Sequence, residues 1–241
     1  MLVKTKAIVL HSFKYGETKI IVDMFTEEHG RLSCIATVGK SARGKLKRQY
    51  FQPLTLVEAV ADMHRRTGLY PLKEAKVAAA YASIPFDPLK LPVALFVAEF
   101  LSNATRKEQP DRLTFAYIEN SLRWLDGSTG GFANFHVVFM MRLTRFLGFY
   151  PNTDGYTEGS WFDLRAASFA PDAPLHHDRL APDEARKVNL LLRMNFATMH
   201  LFRMTRAERN RMTEIIIRYY ELHLPDFHEL KSLDVVKEIF S

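Results

Sequence analysis

The chain has 241 residues, 47% of them hydrophobic and 25% charged, enough apolar material for a packed core and too much for a chain disordered throughout. No apolar run approaches the roughly 18 residues that span a bilayer, and the N-terminus lacks the apolar stretch and cleavage site of a secretory leader, so a soluble cytoplasmic protein is expected. The net charge of +6 is unevenly held: residues 1–80 contain 14 Lys and Arg against 7 Asp and Glu, whereas residues 81–241 contain 19 against 20. Such a one-sided field favours a polyanion over a small acidic metabolite.

The first third reads as β structure. Ala7-Ile8-Val9-Leu10 and Ile20-Ile21-Val22 are apolar on both faces, as in strands covered on two sides, and Leu32, Cys34, Ala36 and Val38 alternate with Arg31, Ser33, Ile35 and Thr37. Lys14 to Glu17 and Glu28 to Gly30 are the tight connections, each holding a glycine. Leu54 to Val60 and Leu69 to Val77 supply a fourth and a fifth strand. Five short strands within about 80 residues predict a small barrel of the OB type. Cys34, the single cysteine, fits a buried strand position better than a nucleophile, and it excludes an internal disulfide and a multi-cysteine zinc site.

Between the third and fourth strands lies Lys40-Ser41-Ala42-Arg43-Gly44-Lys45-Leu46-Lys47-Arg48, five cations in nine positions with no acid. A cationic loop on a β scaffold can follow the phosphates of a nucleic acid; the competing reading is a solvated loop. Arg31, Lys14 and Lys19 are further candidate phosphate contacts. Tyr15, Tyr50 and Phe51 are candidates to stack on bases, although Phe51 fits the core equally well.

After Ile84-Pro85-Phe86-Asp87-Pro88 the period changes to helical. Stripes run through Val93 to Leu101, Phe115 to Leu125, Phe139 to Leu147, Val188 to Met199 (through Asn195 and Phe196) and Met212 to His223, and they predict one helical core over residues 81–241. Thr205 with Glu208 is a candidate N-terminal cap of the last long helix. Around it Arg203, Arg206, Arg209 and Arg211 form a second basic set, compatible with a phosphate track or with salt bridges to Glu208 and Glu214; Lys231 follows closely. Residues 151–182 are expected to be an irregular excursion, with short strands near Trp161-Phe162 and Ser168-Phe169. The glycine-rich Asp126 to Gly131 lacks the Lys-Ser/Thr of a P-loop, no His-Glu-x-x-His or Gly-x-Ser-x-Gly pattern occurs, and carboxylates are dispersed, so neither an enzyme nor a nucleotide cofactor is supported.

Several of these residues also carry a resemblance. Ala7-Ile8-Val9-Leu10, Gly16-Glu17-Thr18, Phe25-Thr26-Glu27 with Gly30-Arg31, the Lys40–Arg48 loop and Gln52-Pro53 resemble the bacterial recombination-mediator family RecO. Tyr220, His223-Leu224 and Leu230-Lys231-Ser232-Leu233 resemble its closing segment. The resemblance implies an α+β protein: an N-terminal five-stranded OB-type barrel over 1–80 that binds DNA, then an α-helical domain over 81–241 with an irregular cysteine-free insertion. It implies a non-catalytic, nucleoid-associated DNA repair protein that binds single- and double-stranded DNA, anneals complementary strands and helps load the RecA recombinase. Its partners would be RecR and the acidic C-terminal tail of single-stranded-DNA-binding protein, with no membrane; the sequence leaves open whether a RecF-type protein takes part. Arg142 and Arg145, on a helix whose other face is apolar, are the candidates for docking that tail. Many members carry a four-cysteine zinc module after the segment matching Gly148 to Pro151; here residues 152–171 hold no cysteine, so no zinc or other cofactor is expected. A generic RNA- or single-strand-binding OB module and a metal-dependent nuclease are the competing readings.

Overall fold

Val3, Thr5, Ala7 and Val9 point inward from a long first strand, β1 (Leu2–Tyr15), and their alternation with exposed or covered neighbours sets the architecture of the N-terminal half. The structure is a computed structural model that describes residues 1–39, 46–64, 68–106 and 109–239. β1 is followed by β2 (Lys19–Thr26), β3 (Gly30–Thr37), β4 (Leu56–Asp62) and β5 (Leu69–Ala79). They close into a barrel in the order β1-β2-β3-β5-β4, antiparallel everywhere except where β3 meets β5. Inside lie Ala7, Val9, Ile20, Val22, Met24, Leu32, Cys34, Ala36, Val57, Ala59 and Leu72, joined from the loop side by Leu46 and Phe51. The tight β1–β2 and β2–β3 connections use Gly16 (φ 75) and Gly30 (φ 63), left-handed conformations that cost a glycine little.

One irregularity decides what the barrel shows to solvent. The β1–β2 register runs Ala7↔Thr26, Ile8↔Phe25, Val9↔Met24 and then jumps to His11↔Asp23, so a β-bulge absorbs one residue at Leu10. Beyond it the parity of β1 is reversed. The odd positions that face the core before the bulge face outward after it: His11, Phe13 and Tyr15 are exposed, while Ser12 turns in and donates its hydroxyl to the Phe51 carbonyl (2.8 Å).

The helices begin with α1 (Lys90–Ala104), α2 (Arg112–Gly127) and α3 (Phe135–Phe146). Two compact units divide the chain: residues 1–127 with 230–236, and residues 128–229 with those from 237 on. The first unit thus holds α1 and α2 as well as the barrel. Phe25 stacks on Phe115 of α2 (6.4 Å), and Lys6 pairs with Glu119 (3.1 Å). The junction is pinned by Asp126, whose carboxylate accepts the backbone N–H groups of Ala82, Ser83 and Ile84 at 2.8–2.9 Å, while the buried Lys90 ammonium donates to the Ser83 hydroxyl (2.7 Å) and the Asp126 carbonyl (3.1 Å).

In the second unit α3 is buried along almost its whole length among α4 (Pro182–Arg193) and α5 (Arg206–His223). Tyr219 and Tyr220 of α5 donate to the carbonyls of Phe149 (2.5 Å) and Met140 (2.8 Å). The apolar stripe from Val188 does not continue as helix to Met199: α4 stops at Arg193. The Asn195 side chain takes the Thr198 N–H (2.9 Å) and the Thr198 hydroxyl takes the Asn195 N–H (3.2 Å), an exchange that competes with helical bonding. Thr205 and Glu208 form the predicted reciprocal cap at the start of α5. A short helix, α6 (Leu233–Ile239), ends the described chain; Glu99 accepts the Lys231 and Ser232 N–H groups just before it.

The excursion folds as a three-stranded sheet, β7-β6-β8, from β6 (Trp161–Asp163), β7 (Ser168–Ala170) and β8 (Arg179–Leu180). Phe162 and Phe169 meet at 4.9 Å, Tyr156 packs edge-on against Phe169 at 5.0 Å, and Phe162 approaches Tyr219 of α5. The nearly buried Asp178 carboxylate is bound by Arg165 (2.7 Å) and by Arg218 of α5 (2.9 Å), which hold it below the usual carboxylate range. No helix among the described residues is long and apolar enough to cross a membrane.

Candidate nucleic-acid interface

Three of the five loop cations, Lys40, Arg43 and Lys45, lie outside the described residues. Where the chain is described again, Leu46 is buried in the barrel, and Lys47 and Arg48 stand exposed at the start of a single 3₁₀ turn (Arg48–Phe51). Phe51 is core (1% exposed) and Tyr50 packs half-buried against that core, so of the three aromatics considered for stacking only Tyr15 is exposed.

β3 and β5 pair over only three positions, Ser33↔Leu69, Cys34↔Tyr70 and Ile35↔Pro71. Past the last pair a groove of about 550 Å³ opens, walled by Lys19, Ile35, Thr37, Gly39, Leu46, Pro71, Leu72 and Lys73. Its charged side chains among the described residues, Lys19 and Lys73, are both cationic. Lys19 makes no ion pair among the described residues, and Lys73 keeps only a 3.9 Å contact with Asp62. Lys73 escaped notice in the sequence because an isolated lysine on a strand carries no signal until the neighbouring strands are known. The other face, on β1, β4 and β5, is different. There Lys4 and Lys76 both bridge Glu58 at 3.2 Å beside Glu74, so that among the described residues lining that face two lysines meet two carboxylates.

The remaining cations sort by what already holds them. Lys14 is exposed near the β1–β2 turn. Arg31 is turned inward: its guanidinium donates to the Ser102 carbonyl, the Ser102 hydroxyl (3.2 Å) and Asp23 (3.2 Å), tying β3 to α1. Arg209 is buried and donates to Asn134 (3.1 Å) and the Met204 carbonyl (3.1 Å), a fixture of the second unit. Arg206 donates to the Lys237 carbonyl (2.8 Å), and Arg211 pairs with Glu184 (2.6 Å) and Glu214 (3.8 Å). Glu208 pairs with Lys187 (3.0 Å); the Thr205 N–H bond first and then Lys187 hold its carboxyl down at about 2. Of this basic set only Arg203 is exposed with no ion pair among the described residues. Lys231 is exposed and belongs to the first unit.

Arg203 borders a second groove, of about 320 Å³, between α4 and the chain leading into α5. Its walls are Leu190, Met194, Leu201, Phe202 and Met204, and its rim carries Arg186 and the Lys187–Glu208 pair. Arg142 stands behind this groove, its Nε donating to the Met194 carbonyl (2.8 Å), whereas Arg145 lies over the Tyr150 ring (4.6 Å).

Burial pushes the Cys34 thiol up to about 12, with the Asp23 charge adding to it, which removes it as a nucleophile at neutral pH. Among the described residues no three His, Cys, Asp or Glu side chains are placed to share a metal ion. The insertion does not fit zinc: Asp178 is already claimed by two guanidiniums, Asp163 and His176 are paired with each other at 3.1 Å, and aromatic rings fill the rest of the setting.

Residues 1–81 match the family described as recombination protein O, N terminal, and residues 85–234 match recombination protein O, C terminal. Over its full length, and theirs, the chain is 51% identical to a DNA repair protein RecO of Phocaeicola vulgatus and 52% identical to one of Bacteroides fragilis. A DNA repair protein RecO of Porphyromonas gingivalis is 34% identical, again over the whole of both chains.

Proposed function

Because the chain belongs to the recombination protein O family, we propose that it is a non-catalytic DNA-binding recombination mediator of the bacterial cytoplasm. In this reading it anneals complementary strands and helps load recombinase onto DNA covered by single-stranded-DNA-binding protein, with RecR as co-worker. The observation that carries it is the uncompensated cationic groove between β3 and β5, contiguous in sequence with the Lys40–Arg48 run. Lys19 and Lys73 on the groove, with Lys47, Arg48 and Lys14 around it, neutralise backbone phosphates without reading bases. Two strands held on such a surface repel each other less, which favours pairing. The test is strand annealing on DNA coated by its binding protein. Replacing Lys40, Arg43, Lys45, Lys47 and Arg48 by alanine is expected to abolish the stimulation, and full activity of that variant would sink the assignment.

We also infer that the groove between α4 and α5 receives the acidic, apolar-ended tail of the single-stranded-DNA-binding protein. Supporting this are its apolar walls, which would take the terminal side chain, and the rim cations Arg186 and Arg203, which would take the carboxylates. Arg142 then acts indirectly, by holding the Met194 wall. Arg203→Glu is expected to weaken a labelled acidic peptide at least ten-fold in an anisotropy titration, while Arg145→Ala leaves it unchanged; the reverse ranking returns the site to the α3 face.

A further inference from the structure

The bulge at Leu10 places three ring-bearing side chains on the outside of the barrel, a pattern that the DNA-binding reading does not by itself require. His11, Phe13 and Tyr15 occupy alternate positions of one strand and share a face; Phe13 is 44% and Tyr15 54% exposed. Removing a phenylalanine from water is favourable, so two aromatic side chains held open on a rigid strand, next to a third ring, call for a partner with apolar faces. The register shows what surrounds them. Tyr15 is opposite Lys19 and Lys19 opposite Thr37; Phe13 is opposite Ile21, Ile21 opposite Ile35, and Ile35 opposite Pro71. Two rows therefore cross the sheet from the aromatics on β1 to the groove that holds Lys19, Ile35, Thr37 and Pro71.

We propose that His11, Phe13 and Tyr15 form a base-stacking platform for unpaired nucleotides of a single strand whose phosphates run along the Lys19–Lys73 groove. The proposal rests on the DNA-binding reading and adds a discrimination to it. Phosphate contacts alone grip single and double strands alike, whereas an exposed ring gains only from a base that has left its own stack. The charge is complementary: the cations flanking the rings are Lys14 and Lys19, Asp23 opposite His11 is already bonded to Arg31 and Ser33, and Glu17 stands at the exposed hairpin tip. Spacing sets the mode. A base inserted between two rings needs about 6.8 Å, twice the ~3.4 Å stacking distance, and the His11 and Phe13 centroids are 5.7 Å apart at a 32° tilt. Bases therefore lie on the outward faces of the row and are not threaded between neighbouring rings.

The test compares oligothymidylate with a duplex of the same length at one salt concentration, for the full-length protein and for Phe13→Leu and Tyr15→Leu. Each substitution is expected to weaken single-strand binding about ten-fold while leaving duplex binding within about two-fold, and Tyr15→Phe, which keeps the ring, is expected to restore the wild-type value. Tyr15→Trp supplies a second readout, since fluorescence of the new indole is quenched when thymine stacks on it. Unchanged single-strand binding in both leucine variants, or equal loss on both DNA forms, overturns the platform while the phosphate groove stands. Leucine variants that bind DNA normally but no longer retain a protein partner would reassign the row to that partner and overturn the proposal. A wild type that binds neither DNA form overturns the groove and the platform together. The exposed positions of Phe13 and Tyr15 keep the variants folded, which their melting curves would verify.

Discussion

Two pairs of lysines on the same barrel offer a test in which net charge is held constant and only position varies. Lys19 and Lys73 border the β3–β5 groove with no strong acidic partner, whereas Lys4 and Lys76 are both bridged to Glu58 at 3.2 Å. Each phosphate neutralised on a single strand contributes about 0.7 to the slope of log K against log salt. Changing Lys19 and Lys73 to alanine is therefore expected to flatten the slope by about 1.4. Over the fourfold range from about 50 to about 200 mM, the loss of affinity with salt becomes about seven-fold smaller. Lys4→Ala with Lys76→Ala removes the same formal charge, but that cluster has none to spare, and its slope should match the wild type within about 0.3. Fluorescence anisotropy of a labelled oligothymidylate over a salt series measures both. Equal flattening by the two pairs would show that overall charge acts and the groove does not; no flattening by Lys19 and Lys73 would remove the groove.

Two further predictions concern stability. Asp126→Asn keeps one accepting oxygen for the Ser83 and Ile84 N–H groups but turns a donor toward that of Ala82, and should cost about 1–2 kcal/mol in urea unfolding; a cost below about 0.5 kcal/mol would refute the pinning role. Those bonds outweigh the partial burial that would otherwise raise the Asp126 carboxyl, so its folded pKa lies below the ordinary value. The wild type should accordingly keep this contribution above about pH 4 and lose it as pH falls through the depressed folded value, a component missing from the variant. Ala167 sits at φ 53 in the β6–β7 turn, where Asp163 accepts the N–H groups of Arg165 and Ala166. Ala167→Gly relieves that left-handed strain and should raise the melting temperature of the second unit by about 1–3 °C.

The barrel was legible because its strands alternate and its turns carry glycine, and the cap at Thr205 was legible because the reciprocal Thr and Glu pairing is local. What escaped the sequence was long-range. Nothing around Leu10 announces a bulge, and without one Phe13 and Tyr15 would continue the inward set of Val3, Thr5, Ala7 and Val9. Arg31 and Arg209 look like any surface cation in the sequence; their partners, Ser102 and Asn134, lie about 70 residues away along the chain, beyond any local pattern. The stripe from Val188 to Met199 misled because Phe196 and Met199 are buried in part or in full without continuing α4, Met199 opening a separate 3₁₀ turn: their periodicity is that of a core, and the Asn195–Thr198 exchange breaks the backbone beneath it.

The insertion has a consequence for the conditions under which a repair protein is needed. Oxidants that break DNA also attack thiolates, and a domain clamped by four cysteines around a metal would come undone with its substrate. Here the same stretch is closed by one carboxylate gripped from two sides by guanidiniums and by a triplet of rings, none of which a peroxide converts or a chelator strips. The contacts that close the insertion thus contain no thiolate for an oxidant to reach.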